Sequence, residues 1–595
     1  MSIRGRPRIR FADDSDTFVA RGRLLQAELA ELSKKILSGT ERPSPRDRRS
    51  LSRSELKSNV FSSELQTRPC MGRGAQPAKR QPGVSIRASA AAPGSLRKPR
   101  RLALNKGMLK SAELGRELSK EDYDAAVGDL RTSLLKVQAE LAQANFPVVV
   151  LINGGEGAGR SETLNTLNEW FDARFLRTEA YEEPNEEERE RPEFWRYWMW
   201  QPKAGQIALF LGSWYSQPIL ERVMGGAKPR RFEQALARIN AFERTLADGG
   251  TLFIKLWFHV SKKVQKKRLK AEEHGRSTRY LVTKTNWKHH EHYDQFVSVT
   301  EQVLRETSTG HAPWTVIESS DDRYRNITAG LTVLEQIQRH LATRRISAPP
   351  QPQPEIADPV TLLDRLDLSL RLEKPEYEKR MAELQGRLGA LARKLKKQRR
   401  SAIFMFEGSD AAGKGGAIRR LVWALDARQY RIIPIAAPTD EERAHHYLWR
   451  FFRHLPPRGR ITIYDRSWYG RVLVERVEGF ASEEAWSRAY KEINDFEHEL
   501  TRDGIILCKY WLQISPEEQL RRFQEREREP WKQHKITAED YRNRQKTNLY
   551  EAAASEMIAR NSTEYAPFTL VEAEDKRYAR VKVLEAAVER LEGQL

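Results

Sequence analysis

The sequence predicts two tandem α/β domains, each a parallel sheet covered by helices on both faces, and three observations lead there. First, sliding the 595-residue chain by 254 positions lays one half on the other: Trp195-Arg196 falls on Trp449-Arg450, Glu221-Arg222-Val223 on Glu475-Arg476-Val477, and Ala312-Pro313 on Ala566-Pro567. A period that long is duplication of a whole domain, not a solenoid of roughly 20–50-residue units. Second, short apolar runs (Ala402–Phe406, Ile461–Tyr464, Ile505–Leu512) alternate with amphipathic stretches such as Trp486–Arg502, the pattern of buried parallel strands joined by helical crossovers. Third, the run at Ala402–Phe406 leads directly into a Gly-rich turn that opens a helical stretch, the context of a phosphate-binding loop.

The elements follow in chain order. Residues 1–107 carry 24 Lys/Arg against nine Asp/Glu, so most of the net charge of +21 sits there. This tail is rich in Arg, Ser, Pro and Gly and reads as disordered apart from one amphipathic stretch, Leu24 to Leu37. Two readings of it stay open: a basic arm that touches nucleic acid, another polyanion or a partner, or a translation start at Met108. The first repeat spans 108–342. A linker at 343–362 holds Pro349, Pro350, Pro352, Pro354 and Pro359 and is expected to be extended. The second repeat spans 363–595 and opens with a helical stretch, Tyr377 to Arg400. Only Cys70 and Cys508 are present, which excludes a disulfide framework or a cysteine zinc site and fits a reducing, cytoplasmic compartment. No run of about 18 apolar residues marks a membrane span.

The chemistry concentrates in the second repeat. Gly408-Ser409-Asp410-Ala411-Ala412-Gly413-Lys414-Gly415 has the G-x4-G-K frame. Gly408, Gly413 and Gly415 let main-chain N–H groups turn toward phosphate oxygens, and Lys414 supplies a cation to the transferred group. The residue after the lysine is Gly415, so the usual hydroxyl ligand for Mg²⁺ is missing and Asp410 is the candidate replacement. Asp465-Arg466 follows the strand-like run Ile461–Tyr464. An Asp there suits a metal ligand, and the guanidinium suits bidentate phosphate binding. Arg522 and Arg526, four apart in a cationic helical stretch, share one face and are expected to close over phosphates.

The first repeat acts as an internal control. Its loop reads Gly154-Gly155-Glu156-Gly157-Ala158-Gly159-Arg160-Ser161, so Arg160 stands for Lys414 and Glu156 for Asp410, while Leu211-Gly212 stands for Asp465-Arg466. Trp214-Tyr215 matches Trp468-Tyr469, which marks that pair as packing residues. The divergent set Asp410, Lys414, Asp465 and Arg466 is therefore the catalytic expectation, with Asp410 and Asp465 as metal ligands. His289-His290-Glu291-His292 resembles a metal site, but adjacent histidines cannot converge on one ion and the second repeat has no counterpart; a solvated polar patch is the expectation.

Together these motifs resemble the type-two polyphosphate kinase family, and in particular its tandem members. The resemblance rests on Glu407-Gly408-Ser409-Asp410-Ala411-Ala412-Gly413-Lys414-Gly415-Gly416, on Asp465-Arg466-Ser467-Trp468-Tyr469-Gly470, and on the Arg-rich stretch. It implies a thymidylate-kinase-like phosphate-loop fold, Mg²⁺ dependence, and phosphoryl transfer from inorganic polyphosphate to AMP, giving ADP. It also implies that Thr439, Asp440 and Arg450 border the nucleotide, and that Arg526 is a lid arginine. Nucleic acid is not an expected partner except through the tail; homo-oligomerisation stays open. Two other readings remain: an ATP-dependent nucleotide kinase on the same fold, and a scaffold that binds polyphosphate or nucleic acid.

Overall fold

The computed structural model describes residues 107–276, 278–344, 362–536 and 538–595. The expected helix at Leu24–Leu37 and the prolines of the linker lie outside them.

In the first repeat, β1 (Val148–Gly154), β2 (Leu176–Ala180), β3 (Ile207–Leu211), β4 (Leu252–His259) and β5 (Trp314–Glu318) form a parallel sheet in the order β2-β3-β1-β4-β5. In the second, β6 (Ser401–Gly408), β7 (Tyr430–Pro434), β8 (Ile461–Asp465), β9 (Ile505–Gln513) and β10 (Phe568–Glu572) repeat that order as β7-β8-β6-β9-β10. The central strands β6 and β9 are buried along almost their whole length, which is why they read as unbroken apolar runs. The chain order reverses between β6 and β8, so the segments after both strands emerge side by side at the carboxyl edge of the sheet, where such folds place ligands.

Helix periodicity is equally direct. Lys374–Lys397 starts with a proline in its first turn and buries Leu384, Leu388, Leu391 and Leu395 along one stripe. The expected Trp486–Arg502 helix is the end of Glu483–Arg502, capped by the Ser482 hydroxyl. Strands β7 and β10 escaped the sequence reading. Both are five-residue edge strands, and β7 leaves Arg431 and Ile432 exposed, so neither shows a continuous apolar run.

Each repeat holds the same buried ionic network. The Lys509 ammonium donates to Glu497 (2.7 Å), to the Tyr469 hydroxyl (2.9 Å) and to the Asn561 carbonyl (2.7 Å). The Trp468 indole and the Tyr469 hydroxyl also donate to Glu497. In the first repeat Lys255, Glu243, Tyr215, Trp214 and the Thr307 carbonyl stand in the same places. Both lysines and both glutamates are fully buried. Trp468 and Tyr469 are thus packing and anchoring groups, as the internal comparison implied.

The two repeats pack through equivalent surfaces. Trp198 stacks on Phe452, its counterpart 254 positions on, with centroids 4.5 Å apart and planes at 15°. The Ala204 amide donates to the Ala444 carbonyl (2.8 Å), and the Arg458 amide to the Glu190 carbonyl (3.0 Å). Those two bonds exchange under the 254-residue shift, so the repeats are related by a pseudo-two-fold axis. One aromatic core, including Phe194, Trp198 and Phe242 with Phe452, Trp468 and Phe496, runs through the contact. Cys508 is a buried free thiol. No helix among the described residues is long and apolar enough to cross a membrane.

Replacing Lys509 by Met leaves Glu497 buried without its cation, a change that costs about 3–5 kcal/mol. Urea unfolding of Lys509→Met is expected to show a lowered midpoint, and Lys509→Met/Glu497→Leu to regain much of the loss.

Candidate active site

The site is built where β6 and β8 end together. Their register pairs Phe406 with Asp465, so the loop after β6 and the turn after β8 meet. Gly408 lies at φ 139° against the neighbouring strand. A Cβ there would sit 2.3 Å from the Leu512 carbonyl oxygen, so only glycine fits. Gly413, at φ 109°, then opens the helix Lys414–Val422, whose amino end adds positive potential to the loop. The Lys414 ammonium donates to the carbonyls of Gly408 (2.7 Å) and Ser409 (3.1 Å).

Of the four expected catalytic side chains, Asp410 contacts Arg466 directly, while Lys414 and Asp465 act on Arg466 through their charges. Arg466 donates to Asp410 Oδ1 at 2.8 Å. Asn543 donates to Asp410 Oδ2 at 3.1 Å, and Gln519 to the Asp410 carbonyl at 3.1 Å. Burial raises the Asp410 carboxyl, but Lys414, Arg466 and Asn543 outweigh it and hold its pKa below the ordinary range. Burial and the repulsion of Arg466 push the Lys414 ammonium down, against the pull of Asp410, Asp465 and Glu407. Burial opposes the Arg466 charge, yet Asp410, Glu407 and Asp465 raise its pKa. The group is a cluster of two cations among carboxylates; of its members Glu407, Asp410 and Arg466 line a cleft of about 100 Å³ with Trp511, Asn543 and Tyr550.

Arg466 holds φ 64° and Ala411 φ 63°, a region that L side chains avoid. At the matching positions the first repeat has Gly212 at φ 74° and Gly157 at φ 65°. The backbone is the same; the second repeat keeps a side chain there despite the strain.

Two site residues were missed in the sequence. Glu407 accepts hydrogen bonds from the Ser467 amide (2.7 Å) and hydroxyl (2.8 Å), tying the end of β6 to the turn after β8; burial raises its pKa. Asn543 orients Asp410. Their counterparts are Asn153 and His289, so the same internal comparison, extended beyond the two motifs, would have found both.

Other expected residues fall differently. All five N–H groups of buried Arg522 are committed: to Glu518, and to the carbonyls of Ala411, Ala412, Ala573 and Glu574. It braces the loop from beneath, as Arg268 does through the Gly157 carbonyl in the first repeat, and does not present its guanidinium to phosphate. Arg526, four residues further along the helix Pro516–Arg528, is half-buried; burial lowers its pKa against the pull of Asp540 and Asp410. Its counterpart is Glu272.

Thr439 caps the short helix Asp440–Arg443 in a box with Glu442. Asp440 pairs with Arg443, and Arg450 with Glu442 at 3.3 Å. Asn185, Glu188 and Arg196 reproduce the cap and the Arg450 pair in the first repeat. None of Thr439, Asp440 and Arg450 lines the cleft at Asp410, and fold alone accounts for their bonds.

In the first repeat Glu156 is occupied by protein groups: His289 (3.2 Å), Asn286 (3.2 Å) and Arg160 (3.9 Å). The His289 bond is the main cause of its lowered pKa. His290 is buried against Gln265 at 2.5 Å. The expected solvated histidine patch is therefore corrected: two of its histidines pack into the degenerate site. No cluster of three or more His, Cys, Asp or Glu that could hold a metal occurs among the described residues. Asp465 is different: among the described residues no donor hydrogen-bonds its carboxylate. One or two carboxylates suffice for Mg²⁺ when phosphates complete the shell, and Asp465 with Asp410 fits that requirement.

With Lys414 as the expected phosphate-holding cation and its pKa lowered, kcat/KM is expected to fall on the alkaline side with a midpoint below the ordinary lysine value of about 10.4. A pH–rate profile that stays level through that value would contradict this.

The family model described as Polyphosphate kinase 2 matches residues 117–345 and again 371–595. A polyphosphate:AMP phosphotransferase of Pseudomonas aeruginosa is 50% identical over 490 residues, covering 82% of this chain and 99% of that protein. One from Acinetobacter johnsonii is 36% identical over 79% of this chain and 97% of its own. A crystal structure assigned to polyphosphate kinase 2 from Pseudomonas aeruginosa PA01 superimposes with a TM-score of 0.73 at 48% identity, covering 82% of this chain and 99% of that one.

Proposed function

The chain belongs to the polyphosphate kinase 2 family, and from that premise we infer that it is a polyphosphate:AMP phosphotransferase whose turnover is carried by the second repeat alone. The observation that carries this reading is the gathering of Asp410, Lys414, Asp465 and Arg466 at the ends of β6 and β8, set against their loss from an otherwise matching first repeat.

An oxygen of the AMP phosphate attacks the terminal phosphorus of inorganic polyphosphate in line. The new P–O bond gives ADP as the old one breaks, and the shortened chain leaves with the electron pair. The attacking oxygen is already anionic, so no strong base is needed; positioning and charge neutralisation do the work. Loop amides and Lys414 hold the phosphoryl oxygens, and Arg466 offsets charge shared between donor and acceptor. Arg526, on the helix over the loop, helps exclude water that would otherwise take the phosphoryl group. Asp410 and Asp465 would hold Mg²⁺, which when bound neutralises phosphate oxygens. The assignment of Thr439, Asp440 and Arg450 to the nucleotide rests on the family resemblance. Two cysteines with no disulfide partner pattern support a cytoplasmic site of action.

The test is ADP formation from AMP and long-chain polyphosphate with Mg²⁺ and no ATP. Lys414→Ala is expected to lose about 100-fold or more in kcat/KM, and Arg160→Ala to keep wild-type turnover. Transfer only when ATP is supplied would replace this reading with a nucleotide kinase.

A further inference from the structure

A second cationic hollow lies away from the loop, where the first repeat packs on the amino-terminal ends of β7 and β8. It encloses about 260 Å³ and is lined by Arg191 from the first repeat and by Arg428, Arg431, Arg453, His454 and Arg460 from the second. No carboxylate of the described residues lines it. Arg428 is neutralised by Asp426, and Arg453 is held 3.7 Å from Glu441. Arg431 and Arg460 have no ion pair among the described residues. Arg191 reaches Glu187 at 3.4 Å and the Leu455 carbonyl, while its buried Nε has no partner.

The pseudo-two-fold axis supplies a control for this surface too. At the mate position Met199, Trp200 and Gln206 replace Arg453, His454 and Arg460, and His445 replaces Arg191. There Arg177, the mate of Arg431, is covered: it lies 4.2 Å over the Trp200 ring and 3.3 Å from Glu179. Packing between repeats therefore does not require the cations. One face leaves Arg431 and Arg460 without an ion pair among the described residues, whereas the other holds Arg174 and Arg177 against Asp172 and Glu179 and has apolar or neutral groups at the remaining cationic positions.

The Arg431 and Arg460 forks, which have no carboxylate partner among the described residues, match a chain of phosphates, which offers paired oxygens at every unit, and Arg191 adds its charge beside them. The hollow sits at Ile461 and the reacting end at Asp465, about 13 Å apart along β8, so one polymer long enough to round the edge strand can engage both. We propose that the hollow lined by Arg191, Arg431 and Arg460 is a second, non-catalytic binding site for condensed phosphate, holding the distal part of a long polyphosphate donor while its end lies in the loop. This rests on the reading of polyphosphate as donor. Short chains reach the loop alone, so the site confers a preference for long chains.

The test is Arg431→Gln/Arg460→Gln in the full chain, assayed with tripolyphosphate and with chains of hundreds of units. The KM for long chains is expected to rise about tenfold, with kcat and the KM for tripolyphosphate unchanged. An unchanged long-chain KM overturns the proposal. So does a parallel rise for both donors, which would mean that the loop itself was damaged. Filter binding of labelled long-chain polyphosphate reads the hollow without turnover: weaker binding by the variant supports the site, and equal binding overturns it. Free inorganic phosphate added as competitor distinguishes a simple anion site, which it would saturate and so abolish the long-chain preference, from a polymer site, which it would leave in place. Absence of ADP from the wild type with either donor would fail the functional reading separately.

Discussion

Everything at the site depends on the side-by-side pairing of β6 and β8. That pairing brings the end of the Gly-rich loop and the Asp465-Arg466 turn to one point at the carboxyl edge of the sheet. Glu407 locks it by accepting both the amide and the hydroxyl of Ser467. Only with the strands in that register does Arg466 meet Asp410, and only then do two cations sit beside each other without flying apart, because carboxylates surround them. Two neighbouring cations without such partners would repel each other at a cost that the fold would have to bear.

Duplication separated two demands that single-copy proteins must meet together. The buried Lys–Glu–Tyr–Trp network and the aromatic contact on the pseudo-two-fold axis recur in both halves, so they belong to folding and to the union of the repeats. The side chains of the proposed catalytic set, Asp410, Lys414, Asp465 and Arg466, occur only in the second. The first repeat has glycines at the two left-handed positions and holds His289 and Arg160 against Glu156. Its loop carboxylate is held by His289, Asn286 and Arg160, whereas that of the second repeat is held by Arg466 and Asn543. Strain retained at Ala411 and Arg466, about 1 kcal/mol or more each, is what a functional site is expected to carry.

Much of this was legible in the sequence. The Gly-rich loop announced itself through fixed spacing and flanking elements, and β6, β8 and β9 through continuous apolar runs that a doubly covered sheet demands. The 254-residue register then separated chemistry from packing, correctly for Trp468 and Tyr469. What escaped has physical reasons. Short edge strands lack a two-sided apolar signal. Asn543 lies 133 residues from the carboxylate it orients, a distance no local motif spans. Arg522 looks from its spacing like a phosphate ligand, and only the tertiary structure reveals that every N–H is taken, two by the loop and three by Glu518 and the carbonyls of Ala573 and Glu574. Thr439 and Arg450 carry capping and ion-pair roles that the first repeat shares.

The central claim is that turnover resides in the divergent side chains and not in the shared backbone. The measurement that tests it most directly converts the second repeat's turn into the first's: Asp465→Leu/Arg466→Gly, assayed for ADP formation alongside thermal unfolding. The first repeat already folds with Leu211-Gly212 in that conformation, so the account predicts an unfolding temperature unchanged or slightly raised, with activity down by about three orders of magnitude. Activity that survives the exchange, or that disappears only because the domain unfolds, would contradict it.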